Sequence, residues 1–288
     1  MAIKLYYIDF KNFGDALSPK LVEHLSGQSV IHAGPNDGDM MGVGSIFFSG
    51  EMFFGEKGSL LSRNRLKAVY HSVRNHSVRP IKVWGSGFWK EPIRVENAAG
   101  YRALDIKAVR GKLTLAALRN FGCKVSDNIV LGDPGLLYID LVPGIRNVRK
   151  EYDVAVVPHY VDKEAGEHVY RRLLARGVKA RLVDVFQGDP LQVLKDIASA
   201  ESVISSSMHG LIVADSLGIP NRYLRLSDKI DAFKFKDYYS AFGLDMPTPL
   251  CVDDDIMNNL PRNQYVALEA IEQCRNDLLS AFKECMGA

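Results

Sequence analysis

Three stretches of the sequence carry residue types that could do chemistry together. Ser205, Ser206 and Ser207 run into Met208, His209 and Gly210. Three hydroxyl donors then stand beside an imidazole whose unperturbed pKa of about 6.5 lets it give up a proton near neutrality. A helix opening at Met208 adds unpaired first-turn amides and the positive end of its dipole, which favour an anion. The plainer alternative is that Ser206 or Ser207 caps the helix and His209 is a satisfied core histidine. Arg110 is the second candidate: its guanidinium can fork onto a carboxylate or phosphate, or make an ordinary surface ion pair. The third is Asn12-Phe13-Gly14-Asp15, where Gly14 lets backbone approach a ligand, while Asn12 and Asp15 can also be simple helix caps.

The elements that must position these groups are readable around them. Val203 and Ile204 are strand formers, and Leu211, Ile212, Ala214 and Leu217 make a helical stripe. Gly218 and Pro220 end that helix, and Asn221 to Leu226 returns as a strand. A unit this short requires parallel neighbouring strands, so His209 belongs beyond a strand's carboxyl end, where open α/β sheets bind ligands. Arg110 follows the strand Asp105 to Val109 and precedes a helix from Gly111 to Phe121. Asn12 to Asp15 follows the strand Ile3 to Ile8 and precedes a helix over Ala16 to Leu25, with Pro19 in its first turn. Gly85-Ser86-Gly87 closes the strand Ile81 to Trp84 but lacks the third glycine of a dinucleotide fingerprint. Gly42-Val43-Gly44-Ser45 precedes an apolar strand over Ile46, Phe47 and Phe48. Pro158-His159-Tyr160 ends another strand, Asp153 to Val157.

The 288 residues are 47% hydrophobic and 24% charged, an ordinary globular composition near the size where one core divides into two. The proline, glycine and charge cluster at 143–151 divides two successive β/α series. The expected division is therefore 1–145 and 152–263, with an amphipathic helix over 264–285 packing back on the first part. A net charge of +2 and the lack of a basic stripe argue against nucleic acid. Arg63, Arg65, Lys67, Arg74 and Arg79 make one locally basic region, suited to an anionic or lipid-diphosphate-linked acceptor or else a solvated face. No apolar run is long enough to span a membrane, and the first residues lack a signal peptide's pattern. Four cysteines without a CxxC pair suit a reducing compartment, so the cytoplasm is the expected location. Asp253, Asp254 and Asp255 read as a solvated loop or cap rather than a metal site.

In order and spacing, these motifs resemble the polysaccharide pyruvyl transferase family. The resemblance rests on Asn12 to Asp15, Gly42 to Ser45, Gly85 to Gly87, Arg110, Leu131-Gly132-Asp133-Pro134, Pro158 to Tyr160, Met208-His209-Gly210 and Phe242-Gly243-Leu244. It implies two Rossmann-like domains in a GT-B-like arrangement with an interdomain cleft. It also implies phosphoenolpyruvate as donor, no cofactor, and a sugar of an exopolysaccharide repeat or its lipid-linked precursor as acceptor, made at the cytoplasmic face of a membrane. His209 would be the acid, Asp15 the base and Arg110 the anion ligand. Asn12, Gly14, Gly44, Ser45, Gly85, Ser86, Gly87, His159, Ser206, Ser207, Met208 and Gly210 would line the substrates. Many members carry Arg-x-His where this chain has Ser207-Met208-His209. Arg222, Arg225, Lys234 or Lys236 must then supply the missing cation. A nucleotide-sugar-dependent glycosyltransferase and a non-catalytic glycan-assembly protein are the alternatives.

Overall fold

The computed structural model describes residues 2–47, 54–56, 79–92, 98–100, 102–186, 188–252 and 255–287. It is a mixed α/β structure with two separate parallel sheets. The first has the order β2-β1-β3-β5-β7-β8, formed by β1 (Ile3–Tyr6), β2 (Val30–His32), β3 (Met40–Met41), β5 (Ile81–Ser86), β7 (Leu104–Val109) and β8 (Val130–Leu131). The short strands β4 (Phe54–Glu56) and β6 (Ala98–Gly100) pair antiparallel outside it. The second sheet has the order β10-β9-β11-β12-β13. Its strands are β9 (Tyr152–Val157), β10 (Ala180–Leu182), β11 (Ala200–Ser205), β12 (Asn221–Arg225) and β13 (Leu250–Cys251). Parallel strands covered on both faces need continuous apolar runs. Val154 to Val157, Val203 and Ile204 meet that need and are fully buried.

The helices are α1 (Phe13–Ser26), α2 (Lys112–Asn120), α3 (Lys163–Ala175), α4 (Pro190–Ala198), α5 (Met208–Ser216), α6 (Phe233–Ser240) and α7 (Leu268–Met286). Three details depart from expectation. Helix α1 starts at Phe13, whose amide donates to the Val185 carbonyl across the molecule, so Pro19 falls in the second turn. Ile46 and Phe47 are buried in a turn, not a strand, and Phe48 lies outside the described residues. Gly44, at φ +112°, turns the chain inward there, and Phe47 stacks on Phe88 at 5.1 Å instead of joining a ladder. Helix α7 begins at Leu268 rather than at 264; Gln264 lies outside it and donates its side-chain amide to the Asp215 carbonyl.

Helix α7 packs on β5, β7 and β8, so the last helix completes the first sheet after the chain has built the second. The connecting stretch is pinned: Lys150 donates to the carbonyls of Ala198 and Ala200, and Ile145 is buried. One contiguous apolar cluster includes Leu5 and Trp84 from the first sheet, Ala155 and Val203 from the second, and Leu278 from α7. The segments that follow the carboxyl ends of β1, β9 and β11 face one shared space. Arg63, Arg65, Lys67 and Arg74, with Asp253 and Asp254, lie outside the described residues. Asp255 pairs with Arg176 at 3.1 Å.

Candidate active site

The space between the sheets is a cleft of about 620 Å³. That is within the roughly 300–1,000 Å³ of ligand sites. Asn12, Asp15 and Ser45 line it from the first half of the chain, and His159, Ser207, Met208, His209 and Lys234 from the second.

His209 enters at the first turn of α5, directly after β11, and is 6% exposed. Its imidazole is held close against two glycines: a Cβ on Gly14 would fall 2.0 Å from Nδ1, and one on Gly135 would fall 3.2 Å from Cδ2. Phe13 meets the ring edge-on at 6.2 Å and Tyr138 lies at 5.9 Å. Nε2 is buried with no hydrogen-bond partner among the described residues. Burial, and then the Lys234 and Arg110 cations with a lesser contribution from the His159 imidazole, push the imidazole pKa down to about 3. His209 is therefore neutral in the free protein at pH 7, not the ready acid that its unperturbed pKa implies. Burial and Lys234 hold His159 down to about 3 as well.

The serines before the helix are structural braces. Ser205 Oγ lies 2.8 Å from the carbonyls of Val157 and Ser207 and accepts from the Ser207 amide at 3.0 Å. Ser206 Oγ accepts from the His159 amide at 2.8 Å. Ser207 stands at the N-cap position of α5 without a side-chain cap bond and opens onto the cleft. Gly210 lets the helix pass the Ser205 hydroxyl, which a Cβ would meet at 2.5 Å.

Asp15 faces the cleft from the first turn of α1. Asn12, at the N-cap, donates its side-chain amide to Asp15 Oδ2 at 3.0 Å. Burial lifts the Asp15 carboxyl to about 6, opposed by Asn12 and Lys234. Gly44 sits between Asp15 and His209, near both.

Arg110 does not line the cleft. It is fully buried, with Nε on Asp237 Oδ2 at 2.9 Å, Nη1 on Ser45 Oγ at 2.7 Å and Nη2 on the Phe88 carbonyl. Thr114 satisfies Asp237 further through its amide at 2.9 Å and its hydroxyl at 2.6 Å. The arginine reaches the cleft only through Ser45 and through its charge. Gly87 permits this placement, since a Cβ there would fall 2.5 Å from the guanidinium carbon. Gly85 and Ser86 are set apart from the cleft: Gly85, at φ +76°, makes room for Pro134, and Ser86 Oγ donates to the Gly42 carbonyl.

Of the four cations left open by the sequence, Lys234 lines the cleft. Arg222 donates to the Thr248 carbonyl and Arg225 pairs with Asp228. Lys236 is exposed and Lys234 half-buried. Burial, then repulsion from Arg110, lowers Lys234 to about 8, against the pull of Asp15, Asp162 and Asp231. Lys90, Asp228, Lys229 and Asp231 also line the cleft and were not singled out in the sequence as site residues.

The profile of the family described as "Polysaccharide pyruvyl transferase" matches residues 12–228. An uncharacterised protein of Acanthamoeba polyphaga mimivirus is 34% identical over 167 residues, 57% of this chain and 57% of that protein. The succinoglycan biosynthesis protein ExoV of Rhizobium meliloti is 28% identical over 187 residues, 65% of this chain and 52% of that protein. The matches thus span little more than half the length of either relative. A crystal structure of a functionally uncharacterised Klebsiella pneumoniae protein superposes with a TM-score of 0.49 at 11% identity, covering 88% of this chain and 93% of that one.

Proposed function

The chain belongs to the polysaccharide pyruvyl transferase family, and from that premise we propose that its cleft moves pyruvate from phosphoenolpyruvate onto two hydroxyls of one acceptor sugar, forming a cyclic ketal. The observation that carries this reading is the meeting of His209, Asp15 and Lys234 in one cleft, with Arg110 behind Ser45. The part of a relative in succinoglycan biosynthesis supports an exopolysaccharide repeat, or its lipid-linked precursor, as acceptor. The same proposal includes a GT-B-like division with residues 1–145 on the acceptor side and 152–263 on the donor side. It includes work in the cytoplasm, at the inner face of the membrane.

The chemistry begins when a proton is added to the methylene carbon of the enol phosphate, leaving cationic character on the carbon that bears phosphate. A sugar hydroxyl attacks that carbon and loses its proton to a base. Phosphate leaves, and the second hydroxyl closes the ring as its proton passes to the departing phosphate. Such a site needs positive charge for the anionic groups, one acid and one base. Lys234 supplies the contact charge and Arg110 the field behind it. Asp15, mostly ionised at pH 7 with a pKa of about 6, serves as base.

His209 becomes the acid only when the donor arrives. Raising its pKa from about 3 to about 7 requires roughly 5 kcal/mol at 1.36 kcal/mol per unit. An opposite unit charge about 4 Å away contributes roughly 4 kcal/mol at an effective dielectric of 20. Phosphoenolpyruvate carries two or more negative charges, so its field is large enough to bring a proton onto His209 while it neutralises Lys234. The free protein holds the imidazole uncharged and the bound donor charges it.

Phosphate release tests the reading. The protein is incubated with phosphoenolpyruvate and a lipid-linked oligosaccharide extract, with sugar nucleotides in parallel. Acceptor-dependent release from phosphoenolpyruvate, lost in His209→Gln without loss of melting temperature, is the expected result. Turnover of a sugar nucleotide instead would assign a glycosyltransferase. No turnover of either donor would leave the reading without support.

A further inference from the structure

Three aromatic rings at the mouth of the cleft are left open to solvent although they touch one another. Phe10 is 42% exposed, Tyr160 37% and Phe186 37%. Tyr160 and Phe186 stack at 5.0 Å and 13°, and Phe10 meets both edge-on at 5.2 Å. Rings that served only to join the two halves would be buried; exposed contiguous apolar surface marks a binding face. Each ring follows the carboxyl end of a strand: Phe10 after β1, Tyr160 after β9 and Phe186 after β10. They are continuous with the reacting groups, because Tyr160 packs on His159 at 4.3 Å and the His159 amide is held by Ser206. Phe10 and Tyr160 line the same cleft as His209 and Asp15.

We propose that Phe10, Tyr160 and Phe186 form a stacking platform for one pyranose ring of the acceptor glycan. A pyranose has a C–H-bearing face that packs on aromatic faces and an equatorial belt of hydroxyls that needs donors and acceptors. The cleft supplies both. Tyr160 and Phe186 stack face to face, so the flat surface is the ring face that this pair leaves outward, with Phe10 edge-on beside it. Lys90, Asp228, Lys229 and Asp231 line the cleft with two charges of each sign. A prenyl chain would want continuous apolar walls, and a polyanion a uniformly basic rim. A cleft of about 620 Å³ also leaves space beyond a three-carbon phosphate. The inference rests on the proposed pyruvyl transfer only in taking the bound sugar to be the acceptor.

Saturation-transfer NMR on the whole protein, with methyl β-glucopyranoside, methyl β-galactopyranoside and methyl α-mannopyranoside as probes, tests binding without turnover. Saturation should concentrate on ring C–H protons of one sugar face for at least one probe. Tyr160→Ala and Phe186→Ala should weaken that probe roughly three- to tenfold, the scale of one lost aromatic contact. Tyr160→Phe should keep it, and affinity for phosphoenolpyruvate should stay unchanged. Tyr160→Leu preserves apolar bulk without the flat face and should behave as the alanine variant, which separates stacking from folding. No saturation of any glycoside overturns the platform. So do unchanged affinities in the folded variants, or saturation of farnesyl phosphate, added as a lipid-phosphate control, with none of any glycoside. Sugar binding without phosphate release would keep the platform and reject pyruvyl transfer; the reverse pattern would reject the platform only.

Discussion

Gly14→Ala puts one methyl group against the imidazole on which the proposed chemistry depends. The added Cβ would sit 2.0 Å from His209 Nδ1, 2.6 Å from Cγ and 2.7 Å from Cε1. Ordinary contact begins at 3.4 Å, so the ring must back away by about 1.4 Å. Gly135, Phe13 and Tyr138 close its other sides, leaving the cleft as the direction of retreat. Two stability effects oppose each other. Gly14 is helical, and alanine there gains about 1 kcal/mol in propensity. Overpacking costs about 1–3 kcal/mol. The net loss is therefore about 0–2 kcal/mol, a few degrees in melting temperature for a chain of this size. Catalysis is far less tolerant, since a misplacement of about 1 Å can cost on the order of 10² in rate. Phosphate release at saturating phosphoenolpyruvate should fall by about 10² or more, while thermal denaturation shifts only slightly. A Gly14→Ala protein with unchanged kcat would show that the position of His209 over this glycine does not matter to the reaction.

Arg110→Gln should behave as a folding variant first: it strands a fully buried Asp237, and breaking such a pair costs about 3–5 kcal/mol. Calorimetry showing an undisturbed melting temperature with only a raised KM would contradict the buried role. The pH profile of kcat at saturating phosphoenolpyruvate, where the donor already charges His209, should be bell-shaped. Activity falls on the acid side as Asp15, near 6 in the free protein, gains its proton and on the alkaline side as His209 and Lys234 lose theirs. Asp15→Asn should lower the rate and remove the acid limb, and a limb that persists in that variant would assign it elsewhere. Phosphoenolpyruvate binding at pH 7 should take up roughly half a proton on His209, read by calorimetry in two buffers of different ionisation enthalpy. Equal heats in both buffers would exclude the charging of His209 by the donor.

The parts of the site legible in the sequence are those fixed by local pattern. The strand, turn and helix around His209 could be read because a buried parallel strand needs an unbroken apolar run and Gly218 has the positive φ that ends the turn. The placement of Asp15 followed from the same logic at β1. What failed was long-range pairing. Nothing near Arg110 announces Asp237, 127 residues away, which takes up the guanidinium. Gly44 and Gly85 look alike in sequence, yet one opens space beside Asp15 and His209 and the other accommodates Pro134. Lys234 could not be separated from its neighbours, because only the docking of α6 against α2 turns it toward the cleft. The aromatic rings are spread over three segments that follow different strands, and no periodicity links Phe10 to Phe186.

The route of the chain has a consequence for its birth on the ribosome. The first sheet is synthesised by Leu131, but the helix that covers one of its faces starts at Leu268. The Trp84 indole N–H has its carbonyl partner on Leu278, and its ring packs on Phe282 at 4.7 Å. At about 5–20 residues per second, the nascent chain takes on the order of ten seconds to reach that helix. During that interval an apolar sheet face stays uncovered, so the early half depends on the last helix for its solubility as well as its stability. Translation speed, chaperone access and any stall within the second half thus bear directly on whether the first half survives.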